Sequence, residues 1–431
     1  METKRELRHI VFLTDPKVLI SEWIPFGRNH MIAFNDELDS FHGTRGTLLT
    51  DRVDRSPSKS TFETSPILTE VTVKNFDASR YVDFIARVYY PEVVEQIEEI
   101  GIHIEDTGFV LYGTELSEVA GRKPTIPLDH ISRVISDMVQ DTSVAMDTLL
   151  STFQRRVLEL VYFDKPKDRD KFSVLIANDI EPRLKTAEDY QDGEEKENEI
   201  NQVVEIAYDF RDLDQEDKLF IGTHGIILIS KNHEAYEQLI SLYALVQSLS
   251  SFQSNLFTKL WTLWDLVKDS RKKLVEMGLK YLTKAQEELA EYRSDIILID
   301  NITGYMREAV EKTRKNWSEL KGKTSKAGQE LAEALEIGKG IEMVEERIDD
   351  INNVAEGLTN EIDGLGSLVN VLADHAMTNE ARNIEYLAIF LSIGAILAQV
   401  FYGQPTMLLS SIALLGALLF MTHFLLRKRR A

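Results

Sequence analysis

Cysteine is absent from this sequence. Disulfides, thiolate nucleophiles and cysteine-based zinc sites are excluded with it. Positive charge is outnumbered: 49 Lys and Arg stand against 71 Asp and Glu, a formal net charge of −22. Holding nucleic acid through its phosphates takes clustered Lys and Arg, so no direct nucleic-acid partner is expected. Proline is scarce, and between Pro127 and Pro405 only Pro166 and Pro182 occur. No proline therefore interrupts a helix anywhere from Pro182 to Pro405. The N-terminus has no long apolar run. Ile10 to Leu13 is too short for a signal-peptide core and reads as the end of a first strand.

Catalytic motifs are missing as well. Gly322-Lys323-Thr324 ends like a phosphate-binding loop, but Trp317 stands where that motif needs glycine. His233-Glu234 lacks the second histidine of the zinc-protease pattern. Gly364-Leu365-Gly366 falls inside a helical pattern, not after a strand. No Gly-x-Ser-x-Gly occurs, and the 9 histidines are scattered without ligand spacing. No enzyme activity is expected.

What is present falls into two halves. Residues 1–232 mix strand and helix signals and predict a cytoplasmic α/β or α+β sensor domain. Strand-like runs are His9–Leu13, Ile67–Val73, Tyr81–Tyr90, Phe109–Tyr112, Phe172–Ile176, Val203–Tyr208 and Leu219–Ile229. The last holds Gly222-Thr223-His224-Gly225, a hairpin-turn signal. Pro127–Tyr162 reads as an amphipathic helix, with Leu128, Ile131, Val134, Ile135 and Met138 on one face. Gly46–Ser65 and the acidic run Asp189–Glu199 read as loops. Residues 233–324, carrying Trp261, Trp264 and Trp317, predict a helical hairpin.

Residues 325–383 predict a long stalk helix. Apolar residues recur in steps of four and three: Ile337, Ile341, Val344, Ile348, Ile351, Ala355, Leu358, Ile362, Leu365, Val369, Leu372 and Ala376. Unbroken from Ser325 through the apolar stretch that follows, such a helix would be on the order of 115 Å long. A sustained heptad seam calls for a partner along its length, and copies of the same chain are expected there. Asn379 and Asn383 continue the seam, either as polar rings at a pore mouth or as register-setting residues.

Two apolar runs follow, 384–402 and 407–426, separated by a turn at 403–406. Each is long enough to predict a membrane span. Arg382 before the first and Arg427, Lys428, Arg429 and Arg430 after the second orient both ends inward. The localisation expected is an inner or plasma membrane with both termini cytoplasmic, and lipid is an expected partner. Glu385, three residues after Arg382, is either an intramembrane functional acid or an interfacial one. Ile389, Ile393 and Ile396 lie on one helical face, as an apolar constriction or as packing against the second span.

This order of parts resembles the CorA family of divalent-cation channels. Asn379-Glu380 opens the membrane entry, Tyr402-Gly403 closes the first span, and Arg427 to Arg430 looks like the family's basic collar. The resemblance implies a funnel of five subunits with the stalk helices around a pore, a divalent or monovalent cation as permeant, and Mg²⁺ or another divalent cation as ligand. The family's Tyr-Gly-Met-Asn signature is here Tyr402-Gly403-Gln404-Pro405, so Mg²⁺ selectivity does not carry over. Gln404 would offer an amide oxygen to a hydrated ion, and Asp349 with Asp350 would offer carboxylates between subunits. Two alternatives stand beside the channel. One is a membrane effector of the type III CRISPR branch, opened by a nucleotide second messenger. The other is a non-conducting coiled-coil tether.

Overall fold

The computed structural model describes residues 11–34, 67–77, 80–89, 97–116, 125–162, 169–191, 199–213, 216–400 and 416. The chain divides into two compact units: residues 1–264 with 294–358, and residues 265–293 with 359–431.

The first unit holds the strands. They are β1 (Phe12–Thr14), β2 (Lys17–Trp23), β3 (Ile67–Asp77), β4 (Tyr81–Tyr89), β5 (Ile97–Glu105), β6 (Phe109–Glu115), β7 (Thr125–Pro127), β8 (Phe172–Ala177), β9 (Asp179–Glu181), β10 (Ala207–Asp212), β11 (Lys218–Gly222) and β12 (Gly225–Ile229). A nine-stranded sheet runs β10-β11-β12-β8-β2-β6-β5-β4-β3, and a three-stranded sheet runs β7-β1-β9. β8 and β12 pair in parallel, with Ser173 opposite Gly225. On its other side β8 pairs antiparallel with β2, Phe172 opposite Ser21. β8, β11 and β12 are buried at every position. Their near-continuous apolar runs suit strands covered on both faces.

The helices are α1 (28–34), α2 (Leu128–Leu149), α3 (Thr152–Val161), α4 (Glu199–Val204), α5 (Glu237–Met277), α6 (Leu282–Lys321), α7 (Lys326–Ala334) and α8 (Ile337–Val400). The helix expected over Pro127–Tyr162 is two, because Leu150 is extended and Ser151 caps α3 by accepting from Gln154 N at 3.4 Å. The strand expected at Val203 starts later: Val203 and Val204 end α4, and β10 begins at Ala207.

The stalk also differs from its expectation. α7 ends before α8 begins, and between them Glu336 takes a left-handed φ of 47°, which an L-residue adopts at a cost. In the first unit the seam residues Ile337, Ile341, Val344, Ile348 and Ile351 are buried within one chain. Gln253 of α5 donates from Nε2 to the Val344 carbonyl at 2.8 Å. In the second unit Ile362, Leu365 and Val369 are likewise buried. The seam's partner over these positions is therefore the chain's own helices.

The membrane hairpin is corrected. An α/β region and long helices are present, but among the described residues no helix is long and apolar enough to cross a membrane. The reason lies in α8. Over its described residues, which reach Val400, the apolar end of α8 carries the polar or charged Asn383, Glu385, Ser392 and Gln399, and these dilute the apolar run that a span needs. The membrane protein, the CorA-like funnel with two C-terminal spans and the inner- or plasma-membrane localisation are not supported. The second run, 407–426, and the turn before it lie outside the described residues, Gly416 excepted.

Candidate functional site

A fully buried ion cluster sits where β2 meets β8. Arg169 and Lys171, on either side of the exposed Asp170, both turn inward to Glu22 of β2. Arg169 Nε lies 3.0 Å from Glu22 Oε2, and its terminal nitrogen donates to the Ser143 carbonyl at 3.0 Å. Lys171 Nζ lies 3.4 Å from Glu22 Oε1 and donates to Thr142 Oγ1 at 2.6 Å. It also stands 4.4 Å above the centre of the Tyr112 ring, whose hydroxyl donates to Glu22. Burial pushes the Glu22 carboxyl up, but Arg169, Lys171 and Tyr112 outweigh it and hold the group below the usual carboxylate range. Burial, and then the Glu22 charge, push the nearby Tyr162 phenol far up, so it stays neutral.

Beside this cluster a cleft of about 300 Å³ opens. Its sheet side is Asp170, Lys171 and Phe172 at the start of β8, with Thr223 and His224 from the β11–β12 turn. Its other side is α5, through Gln247, Ser250, Ser251, Ser254, Asn255 and Thr258. These fall three or four residues apart and so share one helix face. β8 and β12 approach closely here: a Cβ at Gly225 would lie 2.7 Å from the Ser173 carbonyl oxygen, so only glycine fits.

The cleft's polar groups are held in place. Asn255 Nδ2 donates to Asp170 Oδ2 at 3.2 Å, linking the two walls. Ser254 Oγ accepts from Arg347 of α8 at 3.0 Å and donates to the Ser250 carbonyl at 2.9 Å. Thr258 Oγ1 donates to the Ser254 carbonyl at 3.0 Å. Thr223 Oγ1 donates to Glu205 Oε2 at 2.8 Å, and His224 pairs with the same carboxylate.

The residues expected to carry function lie elsewhere. Asn379 and Asn383 fall on α8. Glu385 is exposed there, and Ile389, Ile393 and Ile396 are exposed as well. Asp349 and Asp350 are exposed on the same helix. Tyr402, Gly403, Gln404, Arg427, Lys428, Arg429 and Arg430 lie outside the described residues. Among the described residues no group of three or more His, Asp or Glu side chains is arranged to hold a metal. Sequence reasoning missed the cleft. Its one signal was a stripe of Ser, Thr, Asn and Gln at helical spacing in α5, beside the apolar Leu249, Phe252 and Leu256.

The model of the MJ1566 N-terminal domain matches residues 6–232. The chain belongs to this family. The uncharacterized protein MJ1566 of Methanocaldococcus jannaschii is 27% identical over 303 residues, 69% of this chain and 64% of that protein. The chain thus matches less than two thirds of its relative's length. Neither match links it to the CorA family. The family domain contains Glu22, the Arg169–Lys171 pair and the sheet side of the cleft. The α5 side follows it in the chain.

Proposed function

We propose that this chain is a ligand-responsive regulatory protein and not an enzyme. The observation that carries this reading is the double role of Ser254. It lines the cleft, and it is also where Arg347 of α8 docks on α5. A molecule binding against Ser254 competes with Arg347 or adds to its contact. Either way the α5–α8 contact differs between the empty and occupied states, as a ligand-driven population shift requires. The hydroxyls of Ser254 and Thr258 are bonded to carbonyls of their own helix. They are held as ligand contacts and not activated by an adjacent base.

The test is hydrogen exchange on the full chain, with and without a bound small molecule found by thermal-shift screening. Protection should change along α8 around Arg347 as well as in the cleft, and the change at α8 should be lost in Arg347→Ala. Protection confined to the cleft in both proteins would sink the regulatory reading.

A second property is favoured by a separate observation. From Ile384 to Ile396, α8 exposes Ile384, Leu387, Ile389, Leu391, Ile393 and Ile396. Helices apolar on all sides are normally covered on all sides. The same proposal therefore includes self-association of the chain through this part of α8.

A further inference from the structure

The cleft's charge and hydrogen-bond inventory narrows its ligand. Lys171 lines it, but its side chain has no exposure and its ammonium faces Glu22, Thr142 and Tyr112. His224 is paired with Glu205. Asp170 puts a carboxylate on one wall, with Asn255 on only one of its oxygens. A carboxylate has about four acceptor positions, so Asp170 keeps several for a ligand donor. The opposite wall lies within α5, well inside Glu237–Met277. Mid-helix backbone N–H groups are already bonded to carbonyls of the preceding turn, so this wall has none of the free N–H groups that hold phosphate at a helix start. Arg347 reaches Ser254 from α8 but is not itself among the residues lining the cleft, so anion binding is poorly provided for. Groups that both donate and accept are well provided for, by Ser250, Ser251, Gln247 and Asn255 facing Asp170.

The volume sets the size. About 300 Å³ is at the lower end for small-molecule sites. It suits one sugar or one nucleoside and is small for an oligonucleotide.

On the reading that this cleft is the ligand site, we infer that it takes an uncharged polyhydroxylated molecule, a monosaccharide or a nucleoside, through the Asp170–Asn255 pair and the α5 hydroxyls. Vicinal hydroxyls donate to Asp170 and to Asn255 Oδ1, whose N–H groups are taken by Asp170 and the Ser251 carbonyl, and accept from serine; no charge is brought against Asp170. This departs from the nucleotide second messenger considered from sequence.

The experiment is calorimetry and saturation-transfer NMR on the full chain with glucose and adenosine, each beside its phosphorylated counterpart, glucose 6-phosphate and AMP. One neutral probe should bind, and its phosphate ester should bind about tenfold or more weakly. Asn255→Leu should weaken the neutral probe by about tenfold or more. Ser251→Phe, which fills the cleft, should abolish binding. Thr258→Phe, at the exposed rim, gives a second blocking variant that leaves the core alone.

Tighter binding of the phosphate ester, lost in Arg347→Gln and in Ser251→Phe, would overturn the uncharged ligand while keeping the cleft as the site. Absence of binding by both neutral probes would likewise overturn it. Binding untouched by either blocking variant would remove the cleft itself.

Discussion

At the scale of single residues, the Glu22 cluster couples chemistry to stability. Glu22→Gln leaves Arg169 and Lys171 buried without their carboxylate. Removing one partner of such a buried pair costs about 3–5 kcal/mol, which urea unfolding at neutral pH should show. The depressed carboxyl has a pH signature too. Its contribution is fully present above the ordinary value of 4.5 and is lost as pH falls through the lower folded value. The wild type should therefore lose more stability than Glu22→Gln on acidification, and parallel curves would count against the ion pairing. His103 on β5 has the opposite sign. Burial lowers its pKa, but Glu105 and Asp83, both paired with the ring, raise it further. That contribution is complete below the ordinary value of 6.5 and fades as pH rises through the raised one. Thermal midpoints of wild type and His103→Gln should converge on raising the pH from about 6.5 towards 8; a constant gap would mean that the imidazolium is not what Asp83 and Glu105 hold.

At the scale of elements, close approach fixes α8 against α5 in the first unit. A Cβ at Gly340 would lie 2.9 Å from Val246 Cγ1. Gly340→Leu should cost about 1–3 kcal/mol by overpacking, measured as a lower urea midpoint with an unchanged slope. What sequence made legible follows from how local each signal is. β8 and β12 announce themselves as short apolar runs, Phe172–Ala177 and Gly225–Ile229, and the hairpin turn at Thr223–His224 was named by its flanking glycines. β2 was missed because Lys17, Ser21 and Glu22 break its pattern, and Glu22 is tolerated inside only because Arg169 and Lys171 arrive from far along the chain. The break before α8 was missed because Glu336 is an ordinary helix former that reveals nothing of its positive φ. The α8 seam was legible as a pattern, but a period cannot name its partner, and the partner is intramolecular over the buried positions. The cleft was illegible because serine and threonine on a helix look the same whether they face water or a ligand.

At the scale of the whole molecule, the exposed apolar end of α8 makes a concentration-dependent prediction. Sedimentation velocity of the full chain should show an oligomer, and the double variant Leu387→Glu, Leu391→Glu should shift it towards the monomer. An unchanged sedimentation coefficient would remove self-association through this segment. The order of the large sheet also sets the time course of folding. Its centre is assembled from residues 17–21, 172–176 and 225–229. The parallel β8–β12 pair needs a crossover, and loop-closure entropy is lost before such distant contacts can form. During synthesis, β2 and the consecutive strands β3 to β6 emerge early with one edge of β2 unpaired, and they wait until β8 and then β12 leave the ribosome. Folding should be slow for a domain of this size. The nascent chain is most exposed to edge-to-edge aggregation in that interval, before its last central strand is made.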